Sequence, residues 1–362
     1  MEVILVRRNH SQQRPQRQQG VALIMVLLVV ALVAVVAVQL SQRLQMNVLR
    51  TMNYQQSEQA YWYWLSAEEI ARQLLQMQVQ DSDGVIHQGQ VWSEQTEEER
   101  VYPIEGGGLV RVGITDLQGC FNLNALKAEQ LSLEEFWRRK TQFRMLIAAA
   151  VPDLDNYQLD SIVESTADWL DGDEQMNSGY GAERADYESL PMPYQAANDF
   201  FVHESELRLV RNVTQPVYQA LKPFVCVVPN SDKLEVNINT LTLEHGPLLH
   251  ALMLGAITPD AALQAISQRP DDGYDSIDDA LRNSILAQAS GQQMRPNFGG
   301  VPLPQGVTVE ALGGMFDDLV VKSNYFQLDT HVKYDEMMLR GQSKLYVSED
   351  ETVVLMRGVG EP

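Results

Sequence analysis

The sequence predicts an α+β fold in which one long N-terminal helix lies on an antiparallel β-sheet and a large helical insertion interrupts that sheet. Three observations carry this. Residues 21–38 are 18 consecutive apolar residues, and residues 39–75 extend them with helix formers and no proline or glycine. Strand-like alternation appears at Leu109–Thr115 and returns from Tyr325 to Gly358. Between the two lie about 190 residues of mainly helical pattern, far longer than an ordinary loop.

At a 1.5 Å rise per residue, the apolar run nearly spans a bilayer core of roughly 30 Å. Arg7, Arg8, Arg14 and Arg17 precede it. The positive-inside rule keeps them in the cytoplasm and puts the chain beyond about residue 40 in the periplasm. A cleaved secretory signal or a plain anchor would share this layout. The run is long for a signal, and Val36-Ala37-Val38-Gln39-Leu40 is a poor small-x-small cleavage site.

Tyr61, Trp64 and Leu65 share one helical face that should pack on the sheet. Glu68 and Arg72, four apart, are expected to pair on the exposed side. The helix should end near Val79, before the turn Asp81-Ser82-Asp83-Gly84. Gly106-Gly107-Gly108 reads as a hairpin, since no lysine-serine or lysine-threonine follows to make a phosphate loop. The closing strands are Tyr325–Tyr334, Met337–Val347 and Thr352–Gly358, with Phe326, Leu328 and Val332 on one face. Gly341 and Ser348-Glu349-Asp350-Glu351 should punctuate them.

In the insertion, Ser132-Leu133-Glu134-Glu135 is a capping box opening a helix. Leu159–Leu170, Leu248–Met253 and Ala261–Ile266 continue the helical pattern. Phe121-Asn122-Leu123-Asn124 echoes Val236-Asn237-Ile238-Asn239, with Asn124 or Asn239 expected at a helix N-cap. The echo suggests two lobes, the second starting near 236. The segments are then 1–20 leader, 21–80 membrane and stem helix, 81–120 first part of the sheet, 121–315 helical insertion and 316–362 last strands.

The formal charge is −21, and removing residues 1–20 (four Arg, one Glu, +3) leaves −24. So acidic a surface excludes nucleic acid as partner. No Gly-x-Ser-x-Gly elbow, His-Glu-x-x-His or nucleotide fingerprint is present, so the chain does not read as an enzyme. His203 and His245 have no partnered nucleophile. The loop after Leu170 gathers hard oxygen donors around Gly172, Gly179 and Gly181. It is no EF-hand, because Met176 and Ala182 occupy the positions requiring glycine and glutamate. Composition alone leaves a calcium site and a solvated acidic loop equally open. A second acidic group, Asp271-Asp272 through Asp278-Asp279, reads as a polar turn.

A basic polar leader ending in Gly20, followed by the apolar helix from Val21, resembles a type IV prepilin leader. Prepilins carry glutamate five residues after the cut, where this chain has Met25. A carboxylate in hydrocarbon is costly without a partner, and a subunit with no neighbour above it has none. With the insertion and the two Asn-x-Asn segments, the resemblance narrows to the protein K family of type II secretion minor pseudopilins. That implies a pilin-like fold carrying a helical insertion, cleavage and N-methylation at Gly20/Val21 by a prepilin peptidase, and an inner-membrane anchor with most of the chain in the periplasm. It also implies a subunit that caps the pseudopilus tip and starts assembly with other minor pseudopilins through stem contacts, beside the major pseudopilin, with exported cargo as a further contact. The rival readings are a minor pilin of a type IV pilus and an anchored periplasmic hydrolase.

The resemblance also implies calcium, held through Asp-x-Asp followed by Gly-Ala-Glu, here Asp171/Asp173 and Gly181-Ala182-Glu183. Asp186, Asn198, Asp199 and Glu204 are further candidates because they follow closely. Cys120 and Cys226 each precede an Asn-x-Asn segment. In an oxidising periplasm a disulfide is expected, with two buried thiols as the alternative.

Overall fold

The computed structural model describes residues 20–93, 101–127, 129, 131–290, 298–303, 305, 309 and 316–360. The arginine-bearing leader lies outside them. Two compact units are present, residues 1–58 and 59–362. In the first, helix α1 (Val21–Asp81) begins directly after Gly20, and residues 21–55 are exposed. Its best 18-residue window has a mean hydropathy of 3.5, so length and composition suffice to cross a membrane.

In the second unit the rest of α1 buries Ala60, Trp64, Ala67, Glu68, Ala71, Leu75 and Val79, a helical stripe. Strands β1 (Val101–Ile104) and β2 (Gly108–Asp116) form the expected hairpin, with Gly106 and Gly107 at φ of 84° and 83°. The insertion follows: β3 (Phe121–Asn122), α2 (Leu133–Ala150), α3 (Asn156–Leu170), α4 (Arg184–Glu188), α5 (Gln215–Leu221), β4 (Val225–Cys226), β5 (Val236–Asn237), α6 (Gly246–Leu252), α7 (Pro259–Ser267), α8 (Ile277–Ala280) and α9 (Ser284–Ser290). Strand β6 (Leu319–Val320) leads back to β7 (Tyr325–Tyr334), β8 (Met337–Val347) and β9 (Thr352–Val359). The main sheet is antiparallel in the order β1-β2-β7-β8-β9, and β3–β4 and β5–β6 are short parallel pairs.

The predicted capping box is present: Ser132 Oγ accepts from Glu135 N–H and Glu135 accepts from Ser132 N–H. Both halves of the insertion share one apolar core, from Phe121, Phe143 and Trp169 to Leu249, Ile266 and Leu286. The Asn-x-Asn segments do something other than the expected capping by their second asparagine. Asn122, not Asn124, accepts the capping bond, from Asn124 N–H at 3.2 Å. Asn124 is fully buried and grips another loop: its Oδ1 accepts from Phe201 N–H, and its Nδ2 donates to Phe201 O and Val228 O. Asn239 repeats this on Tyr274, accepting from its N–H at 2.8 Å and donating to its carbonyl at 2.9 Å. A buried amide can satisfy itself and a loop's backbone together, so the echo is one of function.

Two expectations for the stem need correction. Tyr61 is exposed beside the seam, while Trp64 is 1% exposed at its centre. Glu68 is buried and does not pair with Arg72. It accepts from Arg357 Nε and Nη2 at 2.8 and 2.7 Å and from Ser343 Oγ at 2.6 Å. Arg72 turns to Glu69 at 2.8 Å and to Thr352 O at 2.6 Å. Gly341 also does more than punctuate. It lies within β8, and a Cβ there would run into the Trp64 indole, so a side chain is excluded where the helix presses on the sheet.

Three substitutions test these contacts. Gly341→Ala should destabilise the protein by about 1–3 kcal/mol, read in urea unfolding of the detergent-solubilised chain. At Glu68, burial raises the carboxyl pKa, but the Arg357 and Ser343 hydrogen bonds and the Arg357 charge outweigh it and hold the pKa below the ordinary 4.5. Its contribution is therefore fully present above pH 4.5 and lost as pH falls through the depressed folded-state value. Arg357→Ala strands that carboxylate and should cost about 3 kcal/mol. Glu68→Gln should cost less, about 1–2 kcal/mol, and should flatten the acid limb of the stability–pH curve.

Candidate metal centre

Helix α3 is capped at its start by Asp155, which accepts from Gln158 N–H at 2.8 Å, and ends in Ala167-Asp168-Trp169-Leu170 with Asp171 as C-cap. Asp168 and Asp171 are three apart on a helical turn and so share a face. The glycine-rich loop returns the chain to Glu183, the residue before α4. A Cβ on Gly181 would collide with the Asp168 carboxylate, so only glycine lets the loop close this tightly.

Asp168, Asp171 and Glu183 each present a carboxylate oxygen, all within 4.8 Å of one another, and all three residues are buried. Asp168 is fixed by donors: Oδ1 accepts from Asn177 N–H and Nδ2 at 3.0 and 2.9 Å, and Oδ2 accepts from Ala182 N–H at 3.0 Å. Asp171 Oδ2 accepts from Asn177 Nδ2 at 2.8 Å, while its Oδ1 is buried with no hydrogen-bond partner. Both Glu183 oxygens are also buried without a partner. Burial pushes Glu183 up to about 7, helped by the charges of Asp168, Asp171 and Asp173. Burial likewise pushes Asp171 up to about 6, helped by Asp168 and Asp173, and raises Asp168. Buried, orphaned and mutually repelling carboxylates fit a hard cation, whose opposed ligands at about 2.3–2.6 Å would stand about 5 Å apart. The cluster holds no thiol or imidazole, so softer metals gain nothing here.

Of the residues singled out in the sequence, Asp171 and Glu183 thus meet in the cluster. Asp173 stands at its rim, exposed, accepting from Gln175 N–H at 2.7 Å. Asn198, with φ of 47°, donates to Asp173 O at 3.0 Å and keeps a buried, unpartnered Oδ1. The others are engaged elsewhere: Asp186 with Glu183 N–H and Arg211, Asp199 with Lys127 at 3.3 Å, and Glu204 with His203 at 3.4 Å. Asp168 was missed, although one signal was available. It is a lone acid inside an apolar helical end, one turn before Asp171. Cys120 and Cys226 form a disulfide with Cα atoms 5.8 Å apart, beside the β3–β4 pair.

Sequence profiles described as "Type II secretion system (T2SS), protein K" match residues 119–230 and 236–299. Type II secretion system protein K of Aeromonas hydrophila is 33% identical over 347 residues, covering 94% of this chain and 96% of its own. That of Pectobacterium carotovorum subsp. carotovorum is 31% identical, covering 95% and 97%. A chain from the crystal structure of the GspK-GspI-GspJ complex of enterotoxigenic Escherichia coli superposes with a TM-score of 0.71 at 28% identity, over 86% of this chain and 100% of that one. This chain belongs to the type II secretion system protein K family. It is a minor pseudopilin, a structural part of the secretion machinery, with a long helix on an antiparallel sheet and additional helices.

The carboxyls of the metal-free cluster have raised folded-state values, so the stability they allow is present at low pH and lost as pH rises through about 6 to about 7. In chelator, Glu183→Gln should therefore melt above the parent at pH 8, and the two curves should converge as pH falls below the ordinary glutamate value of 4.5. Differential scanning calorimetry across that range reads the convergence.

Proposed function

We propose that this pseudopilin caps the tip of the periplasmic pseudopilus and starts its assembly, in service of the export of folded proteins across the outer membrane. The observation that carries this reading is the insertion. The chain leaves the sheet after Asp116 and rejoins it only at Tyr325, so a helical body with its own core accompanies the scaffold. A body of that bulk obstructs addition of another subunit above it. Met25 agrees, since a terminal subunit has no neighbouring amine for a carboxylate to neutralise.

A prepilin peptidase would cut between Gly20 and Val21 and leave an N-methylated valine, with α1 anchoring the subunit in the inner membrane. Partners would be two other minor pseudopilins, as in the complex of the Escherichia coli relative, together with the major pseudopilin and exported cargo. The Cys120–Cys226 disulfide supports a periplasmic location, because such bonds persist in oxidising compartments. Calcium would occupy Asp168, Asp171 and Glu183, with Asp173 and Asn198 nearby, its two positive charges offsetting most of the repulsion among three buried carboxylates at the base of the loop.

Three measurements bear on this reading. Mass spectrometry of the mature N-terminus should find methylated Val21, and a strain lacking the chain should retain exoproteins in the periplasm. An intact leader, or normal export, refutes it. Calcium should raise the melting temperature of the parent and reverse the order seen in chelator, so that Glu183→Gln now melts lower.

A further inference from the structure

Strand β8 carries a lysine that the fold has not exposed. Lys344 is 1% exposed, on the sheet face opposite Trp64 and Glu68. Its ammonium is directed at carbonyls of the insertion, donating to Val227 O at 2.9 Å and Val202 O at 3.4 Å. Burial lowers its pKa, and the surrounding charges of Glu204, Glu206 and Asp329 oppose that shift. The two backbone segments it touches are those Asn124 grips from within the insertion, at Phe201 and at Val228. They are therefore held from both sides, by an amide in the lobe and an ammonium in the sheet.

One of these segments begins at the metal centre. Asn198 donates to Asp173 O and keeps a buried, unpartnered Oδ1. Three residues on, Phe201 stacks on Trp169, the neighbour of Asp168, at 6.2 Å between ring centroids. Glu206 then receives the N–H groups of Val202 and His203, both at 2.8 Å. Residues 198–203 thus form a strap between the carboxylate cluster and β8, with a donor or acceptor fixed at almost every step.

We propose that Lys344 is the latch through which cation occupancy of the Asp168–Asp171–Glu183 cluster reaches the sheet. A filled cluster fixes the strap, the strap presents Val202 O to Lys344, and the insertion is held against β8. An empty cluster loosens the strap and weakens that hold. The inference rests on the cation reading above and adds a route and a residue to it. Linkage is reciprocal, so removing the latch must also weaken the cation's binding.

The test is amide hydrogen exchange on the full-length protein in detergent, with calcium or with chelator, beside calorimetric titration with calcium. In the parent, calcium should slow exchange about tenfold or more both at 198–203 and in β8 around Lys344. Lys344→Met should keep the first protection, lose the second, and bind calcium about fivefold more weakly. Lys344→Arg, which retains donors, should restore part of both. Calcium that protects 168–203 but leaves β8 unchanged in the parent overturns the latch while leaving the cation site standing. Should Lys344→Met match the parent in both readouts, the latch is likewise overturned. A parent that takes up no calcium overturns the cation reading and the latch together. Should Lys344→Met fail to fold, the parent comparison alone decides.

Discussion

Strand β8 is buried on both faces around Ser343-Lys344-Leu345, and period-two alternation obliges these successive residues to serve different partners. Gly341, Ser343, Leu345 and Val347 turn toward the stem helix, where Trp64 lies on the glycine and Glu68 takes the serine hydroxyl. Lys344 turns to the other side and meets the insertion. A slip of one residue would turn the lysine toward the stem helix and the apolar residues toward the helical lobe. The register of this strand therefore fixes how the helix, the sheet and the insertion are joined.

The seams are closed mostly by polar side chains that answer backbone groups. Asn124 and Asn239 each serve both the N–H and the carbonyl of one loop residue. Asp116, fully buried, accepts from Ser323 Oγ, Thr240 Oγ1 and Gln118 N–H, tying the end of β2 to the start of the second lobe and the approach to β7. Buried amides and carboxylates are tolerable only when partnered, and here the partners are distant backbone atoms for the two asparagines and chiefly distant hydroxyls for Asp116. Among the described carboxylates the cluster is the exception. Three of its oxygens are buried without donors, which is the observation behind the proposed cation site.

Much of this was legible from local pattern. The stem's extent, the glycine hairpin, the capping box at Ser132 and the three closing strands each follow from turn chemistry or periodicity. Asp171 and Glu183 were recognisable as acids flanking a glycine-rich return. Less visible were relations set by packing. Glu68 looked exposed because Arg72 lies four residues on, yet the helix is rotated so that Glu68 meets Arg357 nearly 290 positions later. Tyr61 misled in the opposite sense, because an aromatic at the edge of a stripe has the same spacing as one at its centre.

The sequence by itself determined the apolar rod, the α+β plan and the presence of an acid-rich loop. These depend on composition and short-range spacing, which the chain carries without folding. Only the tertiary structure decided that Asp168 joins the cluster while Asp186, Asp199 and Glu204 do not, that both lobes share one core, and that a lysine is buried between sheet and insertion. Each of these depends on which distant backbone atoms arrive beside a given side chain, and only the completed packing sets that.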